Sequence, residues 1–586
     1  MSASEVSAVV APRRTGASLP RRPRGRWLLP QEPDPAIVAQ LEDELRLSHA
    51  VCRLLAIRGF GEPDHAKAYL RPRLDHLHEP AQLADLDRAV ERIARAIRDN
   101  ETILVHGDYD VDGICSTTLM VRTIRALGGK AVPFIPNRMR DGYDLTAAGV
   151  QAARENGATL VLTCDCGTSA HRPIAELQAS GIDVIVSDHH LPGGPLPPAF
   201  AVLNPKRPGC PSPDKDLAAV GVAFKLALAL TRAVGGNENH VYRLLDLVAL
   251  ATIADVAPLR GENRIFVRYG LKLLNDPERP GIRAMIRAAG LEGRAMTSGR
   301  VGFVLAPRLN AAGRLGSAMR GVELLLTTTE AEANPIAREL EELNAQRQEI
   351  DRATLKQARE MVLAMDLSST FGIVLAEEGW HPGVIGIVAS RIVEEFGRPT
   401  LLIALEKGEG KGSGRSISAF DLHSGLTACK DLFIRFGGHH SAAGVTIAQD
   451  RVAEFARQFN EVAASRLTED DLVPEMRVDL EVPLDQANPD LESLLRHLEP
   501  CGISNPSPLL VTRSVSVAAT PRTVGKDGLK LVLKAGDVEI TALGWGMAPR
   551  AKELEVGMTI DIAYRLERDE YRGECRLQAR LADFRV

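Results

Sequence analysis

Several features are missing from this chain of 586 residues. It has no run of about 18 uncharged apolar residues, so no membrane span is expected. Its eight cysteines, Cys52, Cys115, Cys164, Cys166, Cys210, Cys429, Cys501 and Cys575, contain no CxxC pair. That spacing excludes a zinc ribbon or a thioredoxin-like site, and the cysteines read as buried thiols of a reducing cytoplasm. No apolar stretch with a cleavage site follows the basic pairs Arg13-Arg14 and Arg21-Arg22, so a secretory signal is not expected. An excess of positive charge is also missing: 71 Lys+Arg stand against 76 Asp+Glu, a net of -5. Global charge therefore names no partner, although a local basic groove can hide within it. Lysine is scarce, 14 of the 71 cations, which is read first as codon bias and second as phosphate recognition by arginine. What remains is ordinary for a soluble globular protein, 45% hydrophobic and 25% charged residues. The length is a prior for about four domains.

The pattern changes along the chain. Residues 1–33 are rich in Ala, Ser, Pro and Arg without periodicity and read as a disordered basic tail. Residues 34–100 carry helical spacing. From 101 to 270 short apolar runs alternate with helical stretches: Thr102–Val105, Ala131–Ile135, Thr159–Thr163 and Asp183–Val186 are expected strands. That alternation implies βαβ units and a mostly parallel sheet. Residues 271–365 read as a helical connector with a long charged helix near 330–365. A second α/β segment occupies 366–468. Residues 469–586 show short alternating stretches divided by turns, an all-β reading compatible with a small barrel.

The position of the acids carries the chemistry. Strand one ends in Asp108-Tyr109-Asp110-Val111-Asp112-Gly113, strand three in Asp165-Cys166-Gly167, strand four in Asp188-His189-His190. A later helical stretch ends in Asp255. In a parallel sheet those tips are neighbours, and converging carboxylates repel unless a cation sits among them. Oxygen-rich ligands with one or two imidazoles suit Mg²⁺ or Mn²⁺ better than zinc. So many acids suggest two ions clamping a phosphoryl transfer. An EF-hand is excluded, since Leu119 stands where the loop's twelfth-position Glu would be.

These residues, in this order, resemble the DHH phosphoesterase family. Within it they are most similar to members that degrade single-stranded DNA. Pro307–Arg314, His381–Gly386, Gly412–Ser416 and Gly437–Gly444 extend the resemblance from about residue 46 to the C-terminus. It implies a DHH domain and a DHH-associated domain joined by a long helix, and a C-terminal oligonucleotide-binding barrel. It implies that Asp110, Asp112, Asp165, His189 and Asp255 hold two Mn²⁺ or Mg²⁺ ions, with Asp165 bridging and His106 as a further candidate ligand. His190 joins them among the catalytic residues, and Asp108 and Asp188 support the ligands. It implies that Arg138, Ser413 and Arg415 grip a 5′-phosphate, while Arg308, Asn310 and His439 hold the chain near the scissile phosphate. A narrow cleft between lobes would admit one strand. On the barrel, Arg522, Lys526, Lys530, Lys534 and Trp545 are candidate DNA contacts, with Trp545 held equally as a core residue.

The implied activity is 5′→3′ hydrolysis of single-stranded DNA to 5′-mononucleotides, in recombination and repair. The implied protein is a cytoplasmic monomer working beside a helicase and a single-strand-binding protein. The alternatives are a DHH hydrolase of pyrophosphate, cyclic dinucleotides or short oligonucleotides, and a non-catalytic DNA-binding scaffold. Three positions depart from the family pattern: Asp144 and Ser504 where glycine is usual, and Cys501 where phenylalanine is.

Overall fold

The structure, a computed structural model, describes residues 25–569 and 576–586. It divides into two compact units. The larger comprises Leu28–Glu341 and Arg477–Val586; the smaller is built mainly from Glu342–Met476. The expected tail falls largely on residues 1–24, outside the described residues. Its last part is not disordered: Arg26–Leu28 is a strand paired with Glu475–Arg477, and Trp27 is buried. Backbone pairing over so short a stretch leaves no periodicity to read.

The larger unit is organised around a five-stranded parallel sheet. In spatial order its strands are Lys130–Phe134, Thr102–Gly107, Leu160–Cys164, Asp183–Ser187 and Ala201–Leu203. The three central strands are buried almost end to end, which is why they read as continuous apolar runs. Helix Val111–Ala126 follows the first strand and is buried along most of its length. The chain leaves Thr102–Gly107 toward one side of the sheet and returns on the other, so the order reverses between that strand and Leu160–Cys164. Ligands of open parallel sheets bind at the carboxyl ends beside such a reversal.

The expected connector is not a separate piece. Gly321 meets Ile114 so closely that an added Cβ would lie 3.0 Å from its side chain, which packs this region onto the helix behind the sheet. Helix Glu330–Leu363 does run unbroken for 34 residues, and the division between the units falls within it.

Strands Leu510–Val517, Gly528–Ala535, Val538–Gly544, Thr559–Asp569 and Arg576–Arg585 form a closed barrel. Leu510–Val517 pairs with both Gly528–Ala535 and Thr559–Asp569, and Val538–Gly544 runs parallel to Arg576–Arg585. Closure in this order is that of an oligonucleotide-binding fold. The stretch before it is not all-β, since Pro489–Leu495 is a helix capped by Asn488. The N-terminal helices Pro35–Leu45, His49–Ile57 and Pro63–Leu70 share the barrel's hydrophobic cluster: Leu41, Leu54 and Leu55 join Leu531, Tyr564 and Phe584.

Arg264 ties this assembly to the sheet domain. It is 2% exposed, lies 4.2 Å over the Tyr69 ring, and donates to the carbonyls of Tyr69, His497, Leu498, Glu499 and Pro500.

In the smaller unit the sheet order is Phe433–Gly438, Ala442–Ala448, Glu409–Arg415, Thr400–Glu406 and Ile373–Glu378, with only the last pair parallel. Leu401 and Ile403 point into one core, Leu402 and Ala404 into another on the opposite face.

Arg264→Met leaves several buried carbonyls without a donor and is expected to cost about 3 kcal/mol. Calorimetric melting checks this; an unchanged midpoint contradicts the role given to Arg264.

Candidate metal centre

Three strand ends converge by the same device. Past the last strand residue, each acid's own amide adds one more rung toward the neighbouring strand. Asp108 N donates to Cys164 O (3.2 Å), Asp165 N to Ser187 O (2.9 Å) and Asp188 N to Leu203 O (3.0 Å). The three carboxylates therefore start from adjacent points on one sheet edge. Asp110 caps helix Val111–Ala126, its Oδ1 accepting from Asp112 N and Gly113 N at 2.9 and 3.2 Å. Gly113 is required there, because a Cβ would fall 2.4–2.6 Å from the Asp108 backbone. Asp112 accepts from Ala219 N and Val220 N, both at 2.8 Å, at the N-terminus of helix Ala219–Ala233. Asp255 caps the C-terminus of Leu245–Ala254. Helix Ala306–Leu315 presses on the first loop from outside: Asn310 Oδ1 accepts from Val111 N at 3.3 Å, and a Cβ on Gly313 would lie 2.3 Å from Tyr109 O.

The donors form three overlapping groups: Asp108, Asp110 and Asp165; Asp112, His189 and Asp255; Asp165, His189 and His190. Asp165 and His189 recur and so link the groups. His189 Nε2 lies 3.3 Å from Asp165, 3.8 Å from Asp255 and 4.0 Å from Asp112. Its Nδ1 lies 3.1 Å from Leu217 O. A carbonyl only accepts, so Nδ1 carries the hydrogen and Nε2 turns a lone pair toward the acids. Burial, and then the charge of His190, push the His189 imidazole down to about 4, which keeps it neutral.

His190 behaves differently. Burial opposes its charge, but the hydrogen bond from Nδ1 to Asp188 (2.7 Å) and nearby carboxylates raise it to about 9. Its Nε2 meets the Tyr143 hydroxyl at 3.2 Å. It is an imidazolium at the mouth of the cluster, and its side chain is 44% exposed. Asp188 is buried, yet hydrogen bonds from His190 and Thr168 hold its carboxyl well below the usual range. It fixes the His190 ring through its bond to Nδ1.

The remaining acids are strained electrostatically. Burial first, then Asp110, push Asp112 up to about 7; burial and Asp112 push Asp255 up to about 8. Asp165 and Asp108 rise for the same reasons. Asp165 Oδ1 and Asp108 Oδ1 are buried without a hydrogen-bond partner. Orphaned carboxylate oxygens beside a lone-pair-bearing imidazole fit a divalent cation of the Mg²⁺ or Mn²⁺ class. His106 is not among the grouped donors. Its ring is fully buried, packed on Gly149 and 5.3 Å from the Phe134 ring, with Nδ1 3.5 Å from Cys166 Sγ.

Arg138 lies 4.8 Å over the ring of Tyr109, the residue between Asp108 and Asp110, and so reaches the cluster's rim. Arg308 does not offer a free guanidinium: it is buried, with Glu341 and the Val304 carbonyl as partners. In the smaller unit Arg415 donates to Ser413 Oγ at 3.3 Å, beside the first turn of helix Ile385–Phe396, where Gly386 makes the approach possible. Exposed His439 donates its amide to Ala442 O, and Ala442 pairs with Arg415, so these residues gather at one end of that sheet. On the barrel Arg522 stands directly opposite Lys530, while Trp545, 53% exposed, covers Gly528. Lys526 and Lys534 are exposed, the latter opposite Glu539. Two cations face to face on a sheet are unfavourable without an anion. Tyr143 is a contact that sequence reasoning missed; its position five residues after Arg138 was the available signal.

Family comparisons agree with this layout. The DHH family N-terminal domain matches residues 102–252, the DHHA1 domain 369–465 and the RecJ OB domain 478–583. The single-stranded-DNA-specific exonuclease RecJ of Escherichia coli strain K12 is 36% identical over 519 residues, covering 85% of this chain and 89% of the relative. The chain belongs to the RecJ family. RecJ of Bacillus subtilis strain 168 is 35% identical over 565 residues, 96% of this chain and 71% of the relative. The crystal structure of Thermus thermophilus RecJ in complex with Mn²⁺ superposes with a TM-score of 0.83 at 32% identity, over 96% of this chain and 80% of that one. The Mg²⁺ complex gives 0.78 at 31% identity, over 96% and 79%. Those RecJ structures carry the two metals that the donor set here suits. Among the described residues no helix is long and apolar enough to cross a membrane.

The pH dependence follows from the acids. Without a cation, Asp112 and Asp255 keep their protons to higher pH folded than unfolded. Stability of the metal-free chain therefore falls as pH climbs from about 4 to about 8. A divalent cation must displace those protons. Calorimetry in buffers of different ionisation enthalpy should show proton release on Mn²⁺ binding near pH 6.5 that fades by about pH 9. Binding without proton release at the lower pH contradicts this.

Proposed function

We propose that this chain is a divalent-cation-dependent exonuclease that degrades single-stranded DNA from the 5′ end. The observation that carries the reading is the convergence of Asp108, Asp110, Asp112, Asp165, His189 and Asp255 at the sheet's reversal point, with a barrel of oligonucleotide-binding topology in the same unit. Hydrolysis adds water across the first phosphodiester, breaks the bond from phosphorus to the 3′-oxygen, and releases a nucleotide that keeps its 5′-phosphate. Two divalent cations, held by Asp110, Asp112, Asp165, His189 and Asp255, would supply Lewis-acid stabilisation of the attacking and leaving oxygens.

The chain's own groups do the rest. The Ala219 and Val220 amides fix Asp112, and the Leu217 carbonyl fixes the His189 ring. His190, charged and half-exposed, faces incoming phosphate, and Asp188 keeps it charged. Arg138, steadied on Tyr109, offers a second cation at the same rim. Ser413, Arg415 and His439 are proposed to hold substrate phosphate. Arg522, Lys526, Lys530 and Trp545 would carry the strand further along, with bases stacking on the indole. The barrel also argues against pyrophosphate or a cyclic dinucleotide as the substrate, since neither needs such a surface. We place the protein in the cytoplasm as a monomer, beside a helicase and a single-strand-binding protein.

Product analysis on 5′- and 3′-labelled single strands with Mn²⁺ tests the reading. The 5′ label should appear at once as a mononucleotide, the 3′ label only in long, slowly shortening strands. Asp165→Ala should abolish cleavage while leaving the fold intact. Release of the 3′ label first, or an active Asp165→Ala variant, contradicts it.

A further inference from the structure

The turn that presents Asp165 is held partly by a residue outside the acid cluster. Asp165 itself has φ +66 and Gly167 has φ +110, so the turn leaves the strand in a conformation that needs outside support. Its polar groups are anchored one by one. Asp165 N donates to Ser187 O at 2.9 Å, Thr168 N to Asp188 Oδ2 at 3.0 Å, and the Cys166 carbonyl accepts from Thr163 Oγ1 at 2.7 Å. The amide of Gly167 donates to Asp144 Oδ1 at 2.7 Å.

The first three anchors belong to strand ends or to the residue just beyond one. Asp144 belongs to the loop between strand Lys130–Phe134 and helix Ala147–Glu155. That loop carries Arg138, over the Tyr109 ring, and Tyr143, on His190. Asp144 Oδ1 also accepts from the next residue's amide, Leu145 N, at 2.8 Å, which fixes the carboxylate's orientation. The backbone there has φ +75. A glycine would adopt that conformation freely, and an aspartate tolerates it; only the aspartate brings an acceptor.

We propose that Asp144 is a positioning residue whose carboxylate clamps the loop carrying Arg138 and Tyr143 onto the turn that presents Asp165. One side chain then sets both the phosphate-facing rim and a central cation ligand. What the rim faces rests on the nuclease reading above; the effect on the Asp165 turn does not. The working part is the acceptor oxygen, not the negative charge. An asparagine can place its carbonyl oxygen where Oδ1 lies, whereas a glycine keeps the backbone conformation and loses the clamp.

The test is calorimetric titration of the full chain with Mn²⁺, with cleavage of a labelled single strand followed in parallel. Asp144→Gly should weaken Mn²⁺ binding about 10–100-fold, while Asp144→Asn stays within about twofold of the parent, as expected for support behind a ligand. Glycine suits the local φ, so circular dichroism should report an unchanged fold for both variants. Mn²⁺ binding by Asp144→Gly equal to the parent overturns the proposal. So does an Asp144→Asn variant as weak as the glycine one, because the charge would then be the acting feature. So does a parent chain that binds no Mn²⁺. A parent that binds Mn²⁺ but leaves DNA uncut would sink the nuclease reading alone, since the comparison between variants would still stand.

Discussion

Repulsion among carboxylates is the constraint on which the rest of the larger unit turns. Asp108, Asp112 and Asp165 are buried, Asp110 and Asp255 half-buried, and all five meet at one end of a parallel sheet. Left to themselves like charges so close would move apart. The fold prevents separation by rungs of backbone hydrogen bonding that continue past the strand ends, by amides of helix Ala219–Ala233 on Asp112, and by helix Ala306–Leu315 pressed on the Asp108–Asp112 loop. The upward push on the carboxyls of Asp108, Asp112, Asp165 and Asp255, with the orphaned oxygens of Asp108 and Asp165, marks where a divalent cation belongs.

Around this core the supporting groups divide by protonation state. His189 is kept neutral and turned so that its free nitrogen faces the acids. His190, its chain neighbour, is kept charged by Asp188 and faces outward. Two adjacent histidines thus take opposite charge states: burial and the charge of His190 hold His189 neutral, whereas Asp188 and the nearby carboxylates hold His190 charged. The barrel belongs to the same unit, fastened through the N-terminal helices and Arg264. A strand held by the barrel is therefore held by the body that carries the acids.

Much of this was legible in the sequence, for identifiable reasons. Strands buried on both faces write themselves as apolar runs, and an acid just past such a run has little freedom in where it lands; Asp108, Asp165 and Asp188 were readable that way. Ala201–Leu203 was missed because three residues carry no period, and Arg26–Leu28 for the same reason. His106, a candidate from its spacing to Asp110, lies with its ring against Gly149 and Phe134 and its Nε2 buried without a hydrogen-bond partner. The N-terminal helices read correctly as helices, but no local signal says that their partner is a barrel more than four hundred residues later. Asp144 and Ser504 stood out as replacing glycines, and both have positive φ, +75 and +58. The sequence showed the departure; only the structure supplies the acceptor role at Asp144.

The most direct measurement of the central claim is the number of Mn²⁺ ions bound per chain, counted by equilibrium titration with paramagnetic resonance of the free ion. The account predicts two sites in the parent chain and the loss of both in Asp165→Asn, because that carboxylate belongs to more than one group of donors. A parent that binds no ion, or an Asp165→Asn variant that keeps both, would contradict it.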